Sequence, residues 1–497
     1  MKSDPMPPMH FIDWIQRHAV ARPSVPAIVT PRARLTYSEF HRASIAAVHR
    51  LKSSGIERGQ KIVVSTQSHA LLAVLLCAFN RLGVAPLVRN VPTRRDERIN
   101  VPNDFRIDKY VIEEPFNGVI PEGAVRVDLD WLKAAEGEAA NLDVQGFRAG
   151  DEITALFTTS GTTGAVKVFG LSCRQLEARL LKTIGLLGEG RSESTFSHFG
   201  LGTAPGFRIA FETFWAGGTL YLGWPTGSVP DVIARNRIVR MYASPAQYQT
   251  ILRMSDPSKF DLSRLRYAMV AGSTISRPLI AAVRAKLCER LVNLYGSTEL
   301  GLMAFGRLTE KDPPGRLGVL VPWIDAQVVS ASGDVLPAGE EGILRLRCAE
   351  MVTGYLNDPQ ASAEHFKDGW FYPGDTGCIS SERTLTLTGR VSERINAGGV
   401  KVSPQVIEEA ASSFEGIAEC AAFGAPDAVG MEQIWLAVVA QRELDIENLR
   451  KHCTEKLGAR VPLHVLTVAE LPRNETGKVL RSELVEIAAA QARPRSQ

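Results

Sequence analysis

No Cys-x-x-Cys pair occurs anywhere in the chain, and its seven cysteines are odd in number and scattered. That excludes a disulfide framework and a cysteine-based zinc site, and leaves reduced thiols packed in a core. Long apolar runs are missing too. The longest, Ala70 to Phe79, falls well short of the ~20 residues that span a bilayer, so it reads as a buried helix. The amino terminus, Met1-Lys2-Ser3-Asp4-Pro5-Met6-Pro7-Pro8, lacks the positive-then-apolar order of a signal peptide, which predicts a cytoplasmic protein. Neither sign of charge dominates, since 57 Lys and Arg stand against 54 Asp and Glu. With no basic run interleaved with aromatics, nothing points to nucleic acid. Internal repeats and low-complexity segments are absent as well.

What is present, 45% hydrophobic and 22% charged residues, is the composition of a soluble globular protein. At 497 residues, with roughly 100–200 residues per domain, the chain suggests two to four folding units. From Phe11 to about Arg89, amphipathic segments alternate with short apolar runs such as Lys61-Ile62-Val63-Val64-Ser65, the rhythm of α/β units. The stretch from Asn90 to Gly150 is polar and weakly periodic, a connection with one or two strands. The α/β rhythm returns from Gly200 to Glu299, with strands expected at Thr219–Leu222 and Tyr267–Val270. From Gly315 to Arg390 the pattern becomes strand–turn–strand, as at Ala326–Val329 and Gly342–Leu346. After Gly389-Arg390 a compact unit restarts, with a helix from Pro404 and strands at Glu419–Phe423 and Ile434–Val439. The expected fold class is α/β: a large multi-subdomain amino-terminal domain, residues 1–390, of layered α/β sheets with a small β-rich subdomain at about 315–390. A small α+β carboxy-terminal domain would occupy 391–497, long enough to fold as a unit.

The richest segment is Thr158-Thr159-Ser160-Gly161-Thr162-Thr163-Gly164-Ala165-Val166-Lys167, which follows an expected strand, Ile153–Phe157. Gly161 and Gly164 let main-chain N–H groups approach an anion, the hydroxyls of Thr159, Ser160, Thr162 and Thr163 donate to phosphate oxygens, and Lys167 adds charge. It is not a Walker A loop, because G-x-x-x-x-G-K-[ST] cannot be laid over it. Taken alone, such a cluster is also what an ordinary turn contains. A second segment, Asn293-Leu294-Tyr295-Gly296-Ser297-Thr298-Glu299-Leu300-Gly301, combines an aromatic plate, a glycine turn, hydroxyls and a carboxylate. Those groups suit a base, a phosphate and Mg²⁺, or a polar turn that closes a strand. A third, Gly369 to Gly377, fixes Asp375 in a turn-rich frame, and Arg390 follows at the end of the β-rich part. The loop Asn396-Ala397-Gly398-Gly399-Val400-Lys401 leads into a helix with proline at its start. Lys478 lies on a tight turn, Arg473-Asn474-Glu475-Thr476-Gly477-Lys478, near the carboxy terminus.

In this order and spacing, from about Phe11 to Leu484, these segments resemble the adenylate-forming superfamily: acyl-CoA synthetases and related AMP-dependent ligases, peptide-synthetase adenylation domains and luciferases. The resemblance implies a mobile carboxy-terminal lid and two half-reactions, in which a carboxylate attacks ATP to give acyl-AMP and a thiol then displaces AMP. By motif position it implies that Thr159 to Lys167 hold phosphates, Thr298 contacts phosphate and Glu299 is the Mg²⁺ ligand. It further places Tyr295, within Tyr295-Gly296-Ser297, on adenine, Asp375 and Arg390 at the ribose, and Lys478 between carboxylate and α-phosphate. Gly398 and Gly399 would face the thiol after a rotation of the lid. ATP, Mg²⁺ and coenzyme A are the implied cofactors and co-substrates.

The sequence departs from the family pattern in places. The hinge position holds Ser392 where Asp or Lys is usual, and Val166 replaces a proline before the loop lysine. The segment Phe196 to Phe207 corresponds to one wall of the acyl pocket. Alignment from Ala216-Gly217-Gly218-Thr219 puts Gly202 where an aromatic residue or histidine is frequent, with His198 one helical turn earlier. A lone histidine is also an ordinary structural residue. Amino-acid-activating relatives carry an Asp in this segment, and none occurs here, which favours an acid without an α-amino group. Phe207, Tyr242 to Tyr248, Ala271 to Thr274 with Gly272 among them, and Gly301 to Met303 are expected to complete the pocket. The expected activity is a carboxylate–CoA ligase. The alternatives are a stand-alone ligase that loads a carrier protein's phosphopantetheine, and a catalytically silent nucleotide-binding homologue.

Overall fold

The computed structural model describes residues 10–102, 104–133, 146, 150–160, 166–188, 193–397, 400–426, 432–457, 463–473 and 479–492. The apolar run Lys61–Ser65 is an inner strand of a six-stranded sheet, between the parallel strands Lys109–Glu113 and Ala85–Val88. A strand covered by helices on both faces is continuously apolar, which is why this run does not alternate. The sheet ends in an antiparallel hairpin, Ile153–Ser160 with Val166–Ser172, in which Thr159 pairs with Lys167.

A second, larger sheet sets Pro26–Val29, Thr219–Leu222, Ser194–Ser197, Arg240–Ala243, Tyr267–Val270 and Leu291–Ser297 side by side, all parallel. Beyond Leu291–Ser297 it continues antiparallel through Gly301–Arg307, Arg316–Leu320, Thr384–Arg390, Asp375–Ile379 and Gly342–Arg347. The β-rich stretch therefore has the strand–turn–strand pattern expected of it, but it extends the large sheet instead of forming a sheet apart. Antiparallel neighbours need only a tight turn, so the chain changes direction at Thr298–Leu300 without a crossover helix.

Helices Phe11–Ala21, Tyr37–Ser53, His69–Leu82 and Ala204–Trp215 fill one hydrophobic cluster, which includes Val64 and Phe157 of the first sheet with Leu220 and Tyr242 of the second. His69–Leu82 is buried on nearly every side, as its apolar run requires. Its start is capped by the Ser68 hydroxyl, and it ends at Gly83 with φ +73°, a left-handed position that glycine takes without strain.

The carboxy-terminal part forms its own sheet, with Ile417–Pro426 antiparallel to Glu432–Ala440 and the latter parallel to Leu463–Thr467. Alternation sorts its two faces. Leu436 and Val438 pack on the helices Pro404–Ser412 and Ile446–Leu457, whereas Ala437 and Val439 pack on Arg481–Ala492. The protein is thus an α/β fold with a large amino-terminal and a smaller carboxy-terminal domain.

Candidate active site

Four neighbouring parallel strands of the large sheet point their carboxyl ends to one side, and the segments that leave them carry many of the expected site residues. His198 follows Ser194–Ser197, Ser244 follows Arg240–Ala243, Ala271 and Gly272 follow Tyr267–Val270, and Thr298 and Glu299 follow Leu291–Ser297. In open α/β sheets that crevice is where ligands bind.

The strand pair Asp375–Ile379 and Thr384–Arg390 sets Asp375 directly across from Arg390. Arg390 Nε stands 3.1 Å from Asp375 Oδ1, and the Tyr295 hydroxyl donates to Asp375 Oδ2 at 2.6 Å. Both carboxylate oxygens are therefore engaged, on a side chain that is buried. Burial pushes the Tyr295 phenol well up, and the Asp375 charge adds to this, so it stays a donor. Burial works against the Arg390 charge as well, but Asp375, Glu393 and Tyr295 outweigh it and hold its pKa above the ordinary value. The structure brings these three side chains into one hydrogen-bonded group.

The second group is built on the turn after Leu291–Ser297. The Ser297 hydroxyl accepts from the Leu300 amide at 3.2 Å, and Gly301 takes φ +82° to start the return strand. Glu299 is buried, and the Tyr355 hydroxyl donates to its Oε1 at 2.9 Å. Lys167 is buried too, its Nζ 5.1 Å from the centre of the Tyr355 ring. The lysine expected to lend charge to a loop thus stands on a strand, against an aromatic face. Arg89 donates to the Thr158 hydroxyl at 3.0 Å on the partner strand.

Arg179 braces the turn from behind. From the helix Cys173–Leu187 it donates to the Thr298 carbonyl at 2.8 Å, the Glu299 carbonyl at 2.6 Å and the Glu350 carbonyl at 2.6 Å. Burial draws its pKa down to about 10, opposed by Cys348, Glu299 and Glu350. Asn357 laces the chain beyond Tyr355 to the hairpin, accepting from the Val168 amide at 2.7 Å and donating to the Val166 carbonyl at 3.1 Å.

The expected acyl-pocket residues divide. The His198 amide donates to the Tyr242 carbonyl at 2.9 Å, its ring meets Phe196 edge-on at 5.0 Å, and its Nε2 is buried with no partner among the described residues. Burial pushes its pKa down to about 4, so the ring is neutral near pH 7. The stretch from His198 to Thr203 is irregular, and helix begins only at Ala204, so the helical spacing assumed between His198 and Gly202 does not apply. Thr203 caps that helix, and the chain must first turn to reach it. A Cβ at Gly202 would come within 2.6 Å of Val88 Cγ1. Phe207 packs edge-on against Phe11 and Phe157 and tilted against Phe211, in the core. Gly272 holds φ +98°, and a Cβ at Gly301 would touch Arg179 Cδ at 3.4 Å. Ser392 is exposed in a short turn, Val391–Glu393. Gly161, Thr162, Thr163, Gly164, Gly398, Gly399 and Lys478 lie outside the described residues, as does the side chain of Ser160.

Sequence reasoning missed Arg179 and Tyr355. Gln175, Arg179 and Lys182 do form a polar stripe at helical spacing, and all three reach Glu350 or Met351. Nothing in the sequence separates that stripe from an ordinary solvated helix face. Tyr355 had no local signal, since its partners are distant in sequence.

Among the described residues, no three His, Cys, Asp or Glu side chains gather into a metal cage. A single buried carboxylate fits Mg²⁺, which is held by one or two carboxylates together with substrate phosphates.

Residues 15–356 match the sequence model of the AMP-binding enzyme family, and residues 406–478 match that of the AMP-binding enzyme C-terminal domain. The chain belongs to the AMP-binding enzymes. It is 27% identical to 4-chlorobenzoate–CoA ligase of Arthrobacter sp over 496 residues, 95% of this chain and 94% of that one. It is 26% identical to the fatty acid–[acyl-carrier-protein] ligase ScoC of Streptomyces coeruleorubidus, over 94% of each chain. Its fold matches the anthranilate CoA ligase AuaEII, solved with anthranoyl-AMP, at a TM-score of 0.84 and 22% identity, over 99% of this chain and 100% of that one. As an AMP-binding enzyme it is an AMP-forming acid–thiol ligase, of a family that uses ATP, Mg²⁺ and coenzyme A. No helix among the described residues is long and apolar enough to cross a membrane.

Proposed function

We propose that this AMP-binding enzyme activates an aromatic carboxylic acid as its acyl-AMP and passes the acyl group to coenzyme A. The observation that carries the choice of acid is the strand end at His198, where a buried, neutral imidazole meets Phe196 edge-on and no carboxylate occurs between Phe196 and Phe207. Such a wall suits a flat apolar ring and gives an ammonium no counter-charge. The names of two relatives, which act on 4-chlorobenzoate and anthranilate, support the same reading.

In this reading Thr159 to Lys167 hold the β- and γ-phosphates, Thr298 contacts phosphate, Glu299 holds Mg²⁺, Tyr295 lies against adenine, and Asp375 with Arg390 takes the ribose. Mg²⁺ would neutralise charge on the phosphate oxygens. Lys478 offsets the repulsion between the attacking carboxylate and the α-phosphate, a preorganised electrostatic role. The carboxylate is already a nucleophile, so adenylation needs no general base. The acyl-AMP then meets a thiol beside Gly398 and Gly399, after rotation of residues 391–497 against 1–390 about Ser392. The seven cysteines, all free thiols, support a cytoplasmic setting.

The test is ATP–pyrophosphate exchange over a panel of aryl, short and long acids. Aryl acids are expected to support exchange, and Lys478→Ala to abolish it while ATP binding persists. A folded, ATP-binding protein that exchanges with no acid would overturn the reading. Because ScoC acts on a carrier protein, coenzyme A and a phosphopantetheinylated carrier belong side by side in the thiol assay.

A further inference from the structure

Tyr355 lies on neither of the segments that supply the site's charges, yet it touches both. Its hydroxyl donates to Glu299 Oε1 at 2.9 Å, and the Lys167 ammonium stands 5.1 Å from its ring centre. The ring is held from outside the site. It meets Phe366 edge-on at 5.6 Å and His365 at 6.1 Å, while its amide donates to the Ser362 hydroxyl at 2.8 Å. We propose that Tyr355 is a positioning residue for adenylation, fixing the Glu299 carboxylate for Mg²⁺ with its hydroxyl and the Lys167 ammonium for phosphate with its ring face. This rests on the reading of Glu299 as the Mg²⁺ ligand.

The two contacts use different parts of one side chain, and that makes them separable. A carboxylate that takes one hydrogen bond on Oε1 keeps Oε2 and further lone pairs for a cation, and the bond fixes the direction in which they point. Among the described residues no carboxylate pairs with the Lys167 ammonium at the ring, which leaves its charge for an anion.

Tyr355→Phe removes the hydroxyl and keeps the ring, and Tyr355→Leu removes both. Two readouts separate the roles: the Mg²⁺ concentration at half-maximal ATP–pyrophosphate exchange, and the calorimetric affinity for ATP with Mg²⁺ or with EDTA. Tyr355→Phe is expected to raise the half-maximal Mg²⁺ about tenfold, the scale of one hydrogen bond to a charged group, with ATP affinity in EDTA unchanged. Tyr355→Leu is expected to lower ATP affinity in EDTA as well. If Tyr355→Phe loses thermal stability but keeps the wild-type Mg²⁺ titration and ATP affinities, the role is structural and the proposal fails. Glu299→Gln is the control. A wild-type Mg²⁺ titration in Glu299→Gln refutes the metal assignment itself, whereas a shifted one beside an unshifted Tyr355→Phe refutes only the role of Tyr355.

Discussion

His198 illustrates what burial does to one titratable side chain. Its pKa stands at about 4 in the fold against an ordinary 6.5, because burial disfavours the imidazolium. Between those values the unfolded chain binds a proton that the folded chain refuses. Stability therefore rises with pH across that window, by at most about 1.4 kcal/mol per pH unit for one proton. The contribution is fully present above about pH 6.5 and is lost as pH falls through about 4. His10, His18, His41 and His69 are lowered by burial in the same direction, so the wild type should be visibly acid-sensitive. His198→Gln is expected to flatten part of that dependence, measured as the difference between urea midpoints at pH 7 and pH 5. An unchanged difference would mean that His198 titrates as freely in the fold as outside it.

At the scale of the element, the helix Cys173–Leu187 does more than cover a sheet. Ser172 and Gln175 close a capping box at its start, and Gly188, at φ +65°, ends it. Its Arg179 then satisfies carbonyls from two other segments, the turn at Thr298–Glu299 and the chain at Glu350. Arg179→Met leaves those acceptors without their donor and is expected to cost about 1–3 kcal/mol, read from urea unfolding. Arg179→Lys should recover only a fraction, because an ammonium cannot reproduce the planar fork. A Met variant as stable as the wild type would show that solvent replaces the guanidinium at no cost.

The same element marks how far the sequence could be read. The strands at Lys61–Ser65, Thr219–Leu222 and Tyr267–Val270 were legible because apolar runs and turns are local signals. The pairing of Asp375 with Arg390 was half legible, since two short strands joined by a turn put their far ends together. Contacts such as Tyr355 with Glu299, 56 residues apart, were not. They depend on where the hairpin, the turn and the later segment meet in space, which no local pattern encodes. His198 and Gly202 were placed one helical turn apart although Gly200, Gly202 and Pro205 are local signals of a break, which the irregular stretch before Ala204 bears out.

Across the whole molecule, the buried apolar clusters do not mix. The core that joins the two large sheets ends at Leu387, and those of the carboxy-terminal part begin at Ile395. Among the described residues, the hydrogen bonds and ion pairs between the parts include Arg277 with Glu409 at 3.7 Å, Arg394 with Glu341 at 2.7 Å, and Gln249 with the Ala418 carbonyl. The ion pairs are partly exposed, with 44% and 28% of the first pair's side chains and 35% and 50% of the second's in contact with solvent, so each contributes on the order of 1 kcal/mol or less. Contacts that weak would permit the rotation proposed above, and Ser392, exposed between Arg390 and Glu393, is where the backbone would turn. Ser392→Pro tests this. Proline fixes φ near −65° and removes the amide, at little packing cost for an exposed residue. The expected outcome is ATP–pyrophosphate exchange within about twofold of wild type and thioester formation slowed by at least roughly tenfold, if rotation requires φ at this residue to change by more than proline allows. Equal loss of both half-reactions would assign Ser392 to the folded stability of the chain, and equal retention would move the pivot elsewhere.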